Sequence, residues 1–388
     1  MKQFTDKNKI REIKSYFPKH SMAVVRTMLI LAQSILQLRT VCLYKCKDKV
    51  GEITGNKSTK VSSHYKRLLR FFEINKVITF CEEAFMFVLS LIGIESNLIV
   101  LDRTNWKIGR KNVNILTLGI LFKGCFIPLC WQQLNKRGNS NFQERALLVN
   151  RFLRWWKKSG QQIKEMVMVA DREFIGVEWI TYLRLIELHF VVRLKENMYF
   201  ELCKQNITKK KRQLRSYARK IEQQGIYTIR IMLQGKEYTI IMTKNFKYDP
   251  KEPYIFFLSD LENAKDILKY YTQRWKIECC FRHLKTNGFN LEDMNLKNDN
   301  KIMLMVAVVI ITYALAVKEG VLKYLQKQIR MKCYKNGNVY LEMSIFRKGL
   351  EVLESKLNGF SRFIRYLFYQ IKHASNCPYL LKLNKIVQ

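Results

Sequence analysis

Three carboxylates stand out by what precedes or surrounds them. Asp102 follows the apolar run Asn97–Leu101 (NLIVL), and Asp171 follows a second run, Met166–Ala170. A carboxylate at a strand's end is fixed in place yet faces an open rim, so two neighbouring strands can hold a divalent cation between them. The plain alternative is strong, because an aspartate after a strand is more often a turn or helix cap. Glu278 falls in a helical stretch of about Asn263–Thr286. There Tyr271, Arg274, Glu278, Arg282 and Lys285, at about 100° per residue, lie within an arc of roughly 80°. Beside them Tyr270, Ile277, Phe281 and Leu284 form an apolar stripe that packs on a sheet. A surface salt-bridge ladder explains these charges, but not why so basic a face borders a buried stripe. Trp275 lies about 100° round the helix from Arg274 and is expected in the core.

These residues need elements to hold them. Val113–Phe122 and Cys125–Gln132 are β-rich and joined by Lys123 and Gly124, which reads as a hairpin. Asn141–Lys158 follows a helical pattern, Phe174–Leu188 reads as a helix and His189–Leu194 as a strand. The order strand, strand, strand, helix, strand, helix, strand indicates an α/β layer with helices covering a sheet. Residues 196–253 read as a β-rich insertion, with the basic run Lys209–Arg212 and strands at Tyr227–Leu233 and Glu237–Thr243. Gln234, Gly235 and Lys236 join those strands, and Tyr254–Leu258 is a further one.

The flanks read as helical. Residues 1–95 contain an apolar-periodic segment at His20–Leu38, a polar loop at Gly51–Lys60 and the segment Ser62–Glu73 (SSHYKRLLRFFE). Ser62 or Ser63 is expected to cap the last of these. Its Lys66, Arg67 and Arg70 are candidate DNA contacts, with a solvated surface helix as the plain alternative. Residues 319–388 are basic, aromatic and expected to be helical. The division expected is a helical region at 1–95 carrying those candidate contacts, an α/β core at 96–195 and 254–318, a β-rich insertion at 196–253 and a helical C-terminal region at 319–388.

Composition narrows the partner. The 388 residues, 48% hydrophobic and 26% charged, suffice for a sizeable core and two to four structural units. Lys and Arg total 69 against 32 Asp and Glu, a net charge of +37. Such a chain repels itself unless something acidic neutralises it, and nucleic acid is the usual partner. An anionic membrane or a ribosome would satisfy the same charge. The ten cysteines include no C-x-x-C pair and the five histidines are scattered, which argues against structural zinc. The cysteines read as reduced thiols of a cytosolic protein. The N-terminus has no apolar signal core. Ile302–Val317 runs 16 residues without a charge, short of the roughly 20 that a membrane span needs, and reads as a buried helix.

The spacing Tyr271-x2-Arg274-x3-Glu278-x6-Lys285 resembles the Y-R-E-K signature of bacterial insertion-sequence transposases of the DDE type. The segment ADREFIGVEWITYL around Asp171 resembles that family's second-aspartate block, and LDRTNWKIG around Asp102 its first. Three blocks in the right order, with a β-rich stretch before the glutamate, make the resemblance specific over roughly Leu98–Phe289. It implies a ribonuclease-H-like core with Asp102, Asp171 and Glu278 as catalytic, metal-binding triad. Such carboxylates suit two Mg²⁺ ions, with Mn²⁺ as substitute. It further implies that Tyr271, Arg274 and Lys285, with Arg282 beside them, hold DNA phosphates. The implied function is cleavage at the ends of an insertion sequence and strand transfer into target DNA. The implied partners are double-stranded DNA, namely terminal inverted repeats and target, and a second copy of the chain in the active complex. A bacterial cytoplasmic, nucleoid-associated place and no membrane partner follow from the same resemblance.

One departure bears on the reaction course. Relatives that pass through a DNA hairpin flip a base onto a tryptophan in the insertion, and residues 196–253 contain none. Tyr227, Tyr238, Phe246 or Tyr248 could stack a base instead. The alternative functions are a DNA-binding derivative without catalysis and, from the apolar run, a membrane- or RNA-associated basic protein.

Overall fold

The computed structural model describes residues 6–372 apart from 94–95, 164, 202–210, 247–248 and 334–336. Five helices open it: α1 (Asp6–Ser15), α2 (Met22–Leu38), α3 (Leu43–Thr54), α4 (Val61–Phe71) and α5 (Val77–Ile92). The polar loop is shorter than its composition suggested, because α3 runs through Gly51 and closes at Gly55 with φ 72°. Lys60 is the N-cap of α4 and no side chain caps it, so Ser62 and Ser63 do not have that role.

An eight-stranded mixed sheet follows. Its elements are β1 (Leu98–Ile108), β2 (Lys111–Phe122), β3 (Cys125–Gln133), α6 (Phe142–Lys158), β4 (Val167–Ala170), α7 (Val177–Leu185) and β5 (His189–Leu194). The strand order is therefore as read from the sequence. One difference matters: β1 does not stop at Asp102 but runs on through Ile108 and turns back antiparallel into β2. The residues after Asp102 are polar at every second position, and their pairing with β2 keeps them extended. Asn141 and Glu144 form a reciprocal capping box at the start of α6.

Next come β6 (Tyr199–Glu201), β7 (Lys211–Gln213), α8 (Ala218–Gln224), β8 (Ile226–Leu233), β9 (Lys236–Lys244) and β10 (Tyr254–Ser259). β6 and β7 pair only with each other, whereas the sheet order β3-β2-β1-β4-β5-β10-β9-β8 carries β8 and β9 into the main sheet. Much of the stretch expected to be a separate insertion thus extends the core sheet. The β8–β9 turn has positive φ at both Gln234 (48°) and Gly235 (73°), the two-residue geometry that matches strand twist.

The final helices are α9 (Ala264–Thr272), α10 (Trp275–Lys285), α11 (Asp299–Leu325), α12 (Ile345–Lys356) and α13 (Phe360–Lys372), with a small ribbon of β11 (Met331–Cys333) and β12 (Val339–Leu341) before α12. α11 has the length and hydropathy to cross a membrane, yet 89% of its most apolar window is buried inside the protein. It packs against α2, α5, α12 and β3. Glycines let α11 and α12 touch backbone to backbone: a Cβ on Gly349 would meet the Ala316 carbonyl oxygen at 1.8 Å, and one on Gly320 the Ile345 carbonyl oxygen at 1.8 Å.

Candidate active site

β1 and β4 run parallel, and their last paired residues are Leu101 and Ala170. The next residue on each strand is an aspartate, Asp102 and Asp171. Adjacent strands lie about 4.8 Å apart, so the carboxylates are neighbours where β4 stops and the sheet opens. An ion pair locks this arrangement. Arg103 donates from Nε and Nη2 to the two Glu173 carboxylate oxygens, at 3.2 and 3.1 Å, and from Nη1 to Asn114 Oδ1 at 3.1 Å. It ties β1 to the segment that follows Asp171. Arg145 reinforces that segment, donating to the Glu173 carbonyl at 2.8 Å.

The third carboxylate comes from α10. The helix expected at Asn263–Thr286 is broken in two at Gln273–Arg274, where Arg274 and Ile277 amides bond three residues back, at 2.9 and 3.0 Å. That tighter turn brings Arg274 over the sheet. Its Nη1 donates to Asp102 Oδ2 at 3.1 Å and its Nη2 to Glu278 Oε1 at 2.6 Å. On the last turn of α9, Tyr271 donates its hydroxyl to Asp171 Oδ1 at 3.3 Å. Asp102, Asp171, Tyr271, Arg274 and Glu278 are thus gathered in one place.

The electrostatics are those of a site short of positive charge. Burial pushes the Asp102 carboxyl up to about 7, even with Arg274 beside it. Burial also works against the Arg274 charge, but Tyr271, Asp171, Asp102 and Glu278 outweigh it and hold its pKa above the ordinary value. Burial pushes the Tyr271 phenol up to about 12. Among the described residues no three Asp, Glu, His or Cys side chains converge as a ready-made metal cage. Instead a guanidinium stands between two of the three carboxylates. A buried carboxylate that one guanidinium does not keep fully ionised, next to two more oxygen-donor groups, suits a hard divalent cation.

The other expected residues lie elsewhere. Lys285 sits above the Trp106 ring, 5.9 Å from Nζ to centroid, with burial lowering its ammonium pKa. Trp106 is four residues along β1 from Asp102, so Arg274 and Lys285 meet that strand at separate points, while α10 also packs on β3. Arg282 is exposed on α10. Trp275 is 40% exposed rather than in the core, because the break before α10 turns it outward. On α4, Lys66 is exposed, while Arg67 and Arg70 line a cleft shared with α2.

Of the four aromatics weighed for base stacking, Tyr248 is outside the described residues, Tyr238 is buried and Tyr227 stacks on Tyr217 at 5.6 Å. Phe246 is 51% exposed and stacks on Phe257, which itself contacts Tyr271 at 4.4 Å between centroids.

Several residues of the site were not singled out from sequence. Arg193 Nη1 lies 3.9 Å from Asp171 Oδ1 and its Nη2 is 2.7 Å from Glu252, which also pairs with Arg172. Arg172 directly follows Asp171 and was within reach of a close reading. Glu252 had no signal, since it comes from the loop between β9 and β10.

No curated protein matches the chain. Residues 94–315, more than half of it, match the model of the family described as the transposase DDE domain. That span begins just before β1 and ends within α11, so it takes in Asp102, Asp171 and Glu278 together with the sheet and helix that position them. The chain therefore belongs to the DDE transposase family.

Proposed function

We propose that this transposase cuts DNA at the ends of an insertion sequence and joins the freed 3′ ends to target DNA, with Asp102, Asp171 and Glu278 as its catalytic carboxylates. The observation that supports this most is their placement: two aspartates one residue beyond the last β1–β4 pair, and a glutamate joined to Asp102 through Arg274. The three would hold two divalent ions, Mg²⁺ or Mn²⁺, which when bound activate a water or 3′-hydroxyl and stabilise the leaving oxygen.

The remaining roles follow from the chain's own groups. Arg274 has the planar fork suited to a phosphate. In the DNA-free protein that fork is spent on Asp102 and Glu278, so it neutralises the carboxylates until another cation does. Tyr271 orients Asp171 through its hydroxyl and would meet DNA beside Arg274. Arg282 and Lys285 extend the positive track along α10 for the same strand. Phe246 is the aromatic placed to stack a displaced base, through its contact with Phe257 and so with Tyr271. Two copies of the chain would bridge two terminal repeats, at the bacterial nucleoid in the cytoplasm.

The test is a linear duplex built from inverted repeats flanking the gene, incubated with the full-length protein and Mg²⁺ or Mn²⁺. Cleavage at the repeat boundary supports the proposal. Binding without cleavage in either metal points instead to a DNA-binding derivative that has lost catalysis.

A further inference from the structure

We propose that helices from the two ends of the chain together form one phosphate-binding groove, a second seat for the backbone of duplex DNA that shares no residue with the carboxylate site. Between α2 and α4 lies a cleft of about 680 Å³, lined by Arg26, Arg67 and Arg70 with Asn56, Thr59 and Ser63. A second cleft of about 680 Å³ shares Arg26 and Thr54 with it and continues to α13, adding Lys7 and Arg362. The two form a continuous groove because the same Arg26 side chain borders both.

Six cations line this groove; Arg365 pairs with Asp6, and the other five, Arg26, Arg67, Arg70, Lys7 and Arg362, form no ion pair among the described residues. The carboxylates at its rim are already engaged: Asp6 with Lys9 and Arg365, and Glu52 with Lys49. Two of the arginines are held by their own surroundings. Arg67 Nε donates to Thr27 Oγ1 at 3.4 Å, and the Arg26 guanidinium sits over the Phe360 ring at 5.5 Å. Arg67 is half-buried, and burial, then the like charges of Arg26 and Arg70, lower its pKa. Clustering unpaired guanidiniums costs free energy that a bound anion would return.

The groove's chemistry favours a duplex backbone over a single strand. A single strand is held by aromatic platforms as well as charge. Among the described residues the rings lining this groove, Phe71, His64 and Phe360, are 2%, 6% and 8% exposed and offer no stacking face. What remains is guanidinium, amide and hydroxyl groups, which suit phosphate oxygens. The identity of the polymer rests on the transposase reading, whereas the existence of the anion seat does not.

The experiment measures binding of a fluorescent duplex by the full-length protein, without divalent cation, as a function of KCl. Wild type is compared with R26Q/R67Q/R70Q/R362Q, and with a control that loses similar charge elsewhere, K157Q/K236Q/K327Q. Each lost phosphate contact removes about 0.9 from the slope of log affinity against log salt. The groove variant should lose about 3 from that slope and bind at least about tenfold more weakly at 0.1 M KCl, with the control losing far less. Replacing the same four arginines by lysine should keep the slope and serves as the check on folding. Equal slopes in wild type and groove variant, or an equal loss in the control, would overturn the proposal. So would weakened binding of single-stranded RNA, or of inorganic phosphate alone, with duplex binding intact. Cleavage at repeat ends by wild type is read separately, so failure of the groove and failure of the transposase reading give different results.

Discussion

Arg274 Nη1 lies 3.1 Å from Asp102 Oδ2, inside a pocket where burial alone would drive that carboxyl neutral. The guanidinium occupies the charge position that the carboxylates need filled. Because it also reaches Glu278 at 2.6 Å, a metal ion held as proposed above would have to compete with Arg274 for the same oxygens. On the same proposal, DNA that draws Arg274 to a phosphate would promote metal binding, and by linkage metal would promote DNA binding.

Arg274→Gln should therefore bind Mn²⁺ more tightly than wild type in the absence of DNA, by about tenfold or about 1.4 kcal/mol, in a calorimetric titration. DNA should raise the affinity of wild type but not of the variant. Unchanged Mn²⁺ affinity in the variant would show that Arg274 does not stand in for the ion.

The His283 ring packs on Phe346 at 4.5 Å, and burial pushes its pKa down to about 4. A histidine depressed in the folded state gives stability that is present above the unfolded value, about 6.5. That stability is lost as pH falls toward 4, since the unfolded chain takes up the proton first. Urea unfolding should thus show about 2 kcal/mol less stability at pH 5 than at pH 7.5 from this residue. His283→Gln should lose much of that dependence, and an identical pH profile in the variant would assign it to other groups.

Gly349→Ala should destabilise the protein by about 1–3 kcal/mol through overpacking, because its Cβ would meet the Ala316 carbonyl at 1.8 Å. Differential scanning calorimetry reads this as a lower Tm. An unchanged Tm would mean that α11 and α12 separate at little cost.

Phe246→Ala should weaken any step that needs a displaced base by about 1–3 kcal/mol, the value of one base stack. The first strand nick should keep its rate. Resolving nicked, hairpin and double-strand products on a denaturing gel separates the two, and an equal loss at the first nick would assign Phe246 to general DNA binding.

What could be read from sequence divides by range. The strands that lead into Asp102 and Asp171 were legible because they are short apolar runs, and the hairpins because Lys123–Gly124 and Gln234–Gly235 have the residues their turns require. The second half of β1 was not, since its extension past Asp102 depends on pairing with β2. The break at Gln273–Arg274 has no proline or glycine to announce it, and with it went the expectation that Trp275 is buried. Of the five residues gathered at the site, Asp102 and Asp171 were named from the apolar runs they follow, and Tyr271, Arg274 and Glu278 from their helical spacing. That Arg274 would bridge two carboxylates, and that Lys285 would sit over Trp106, depends on how α10 lies on the sheet. The groove joining Arg26, Arg67 and Arg362 combines residues hundreds of positions apart, which no local pattern reveals.

The most direct test is end cleavage of an inverted-repeat substrate in Mn²⁺ by wild type and by Asp102→Ala, Asp171→Ala and Glu278→Ala, with DNA binding measured in parallel. The account predicts that wild type cuts at the repeat boundary and that each variant binds DNA but is slowed at least about a thousandfold, the loss of ~4 kcal/mol of transition-state stabilisation. A variant that cuts at the wild-type rate would contradict the assignment of that carboxylate to the catalytic site.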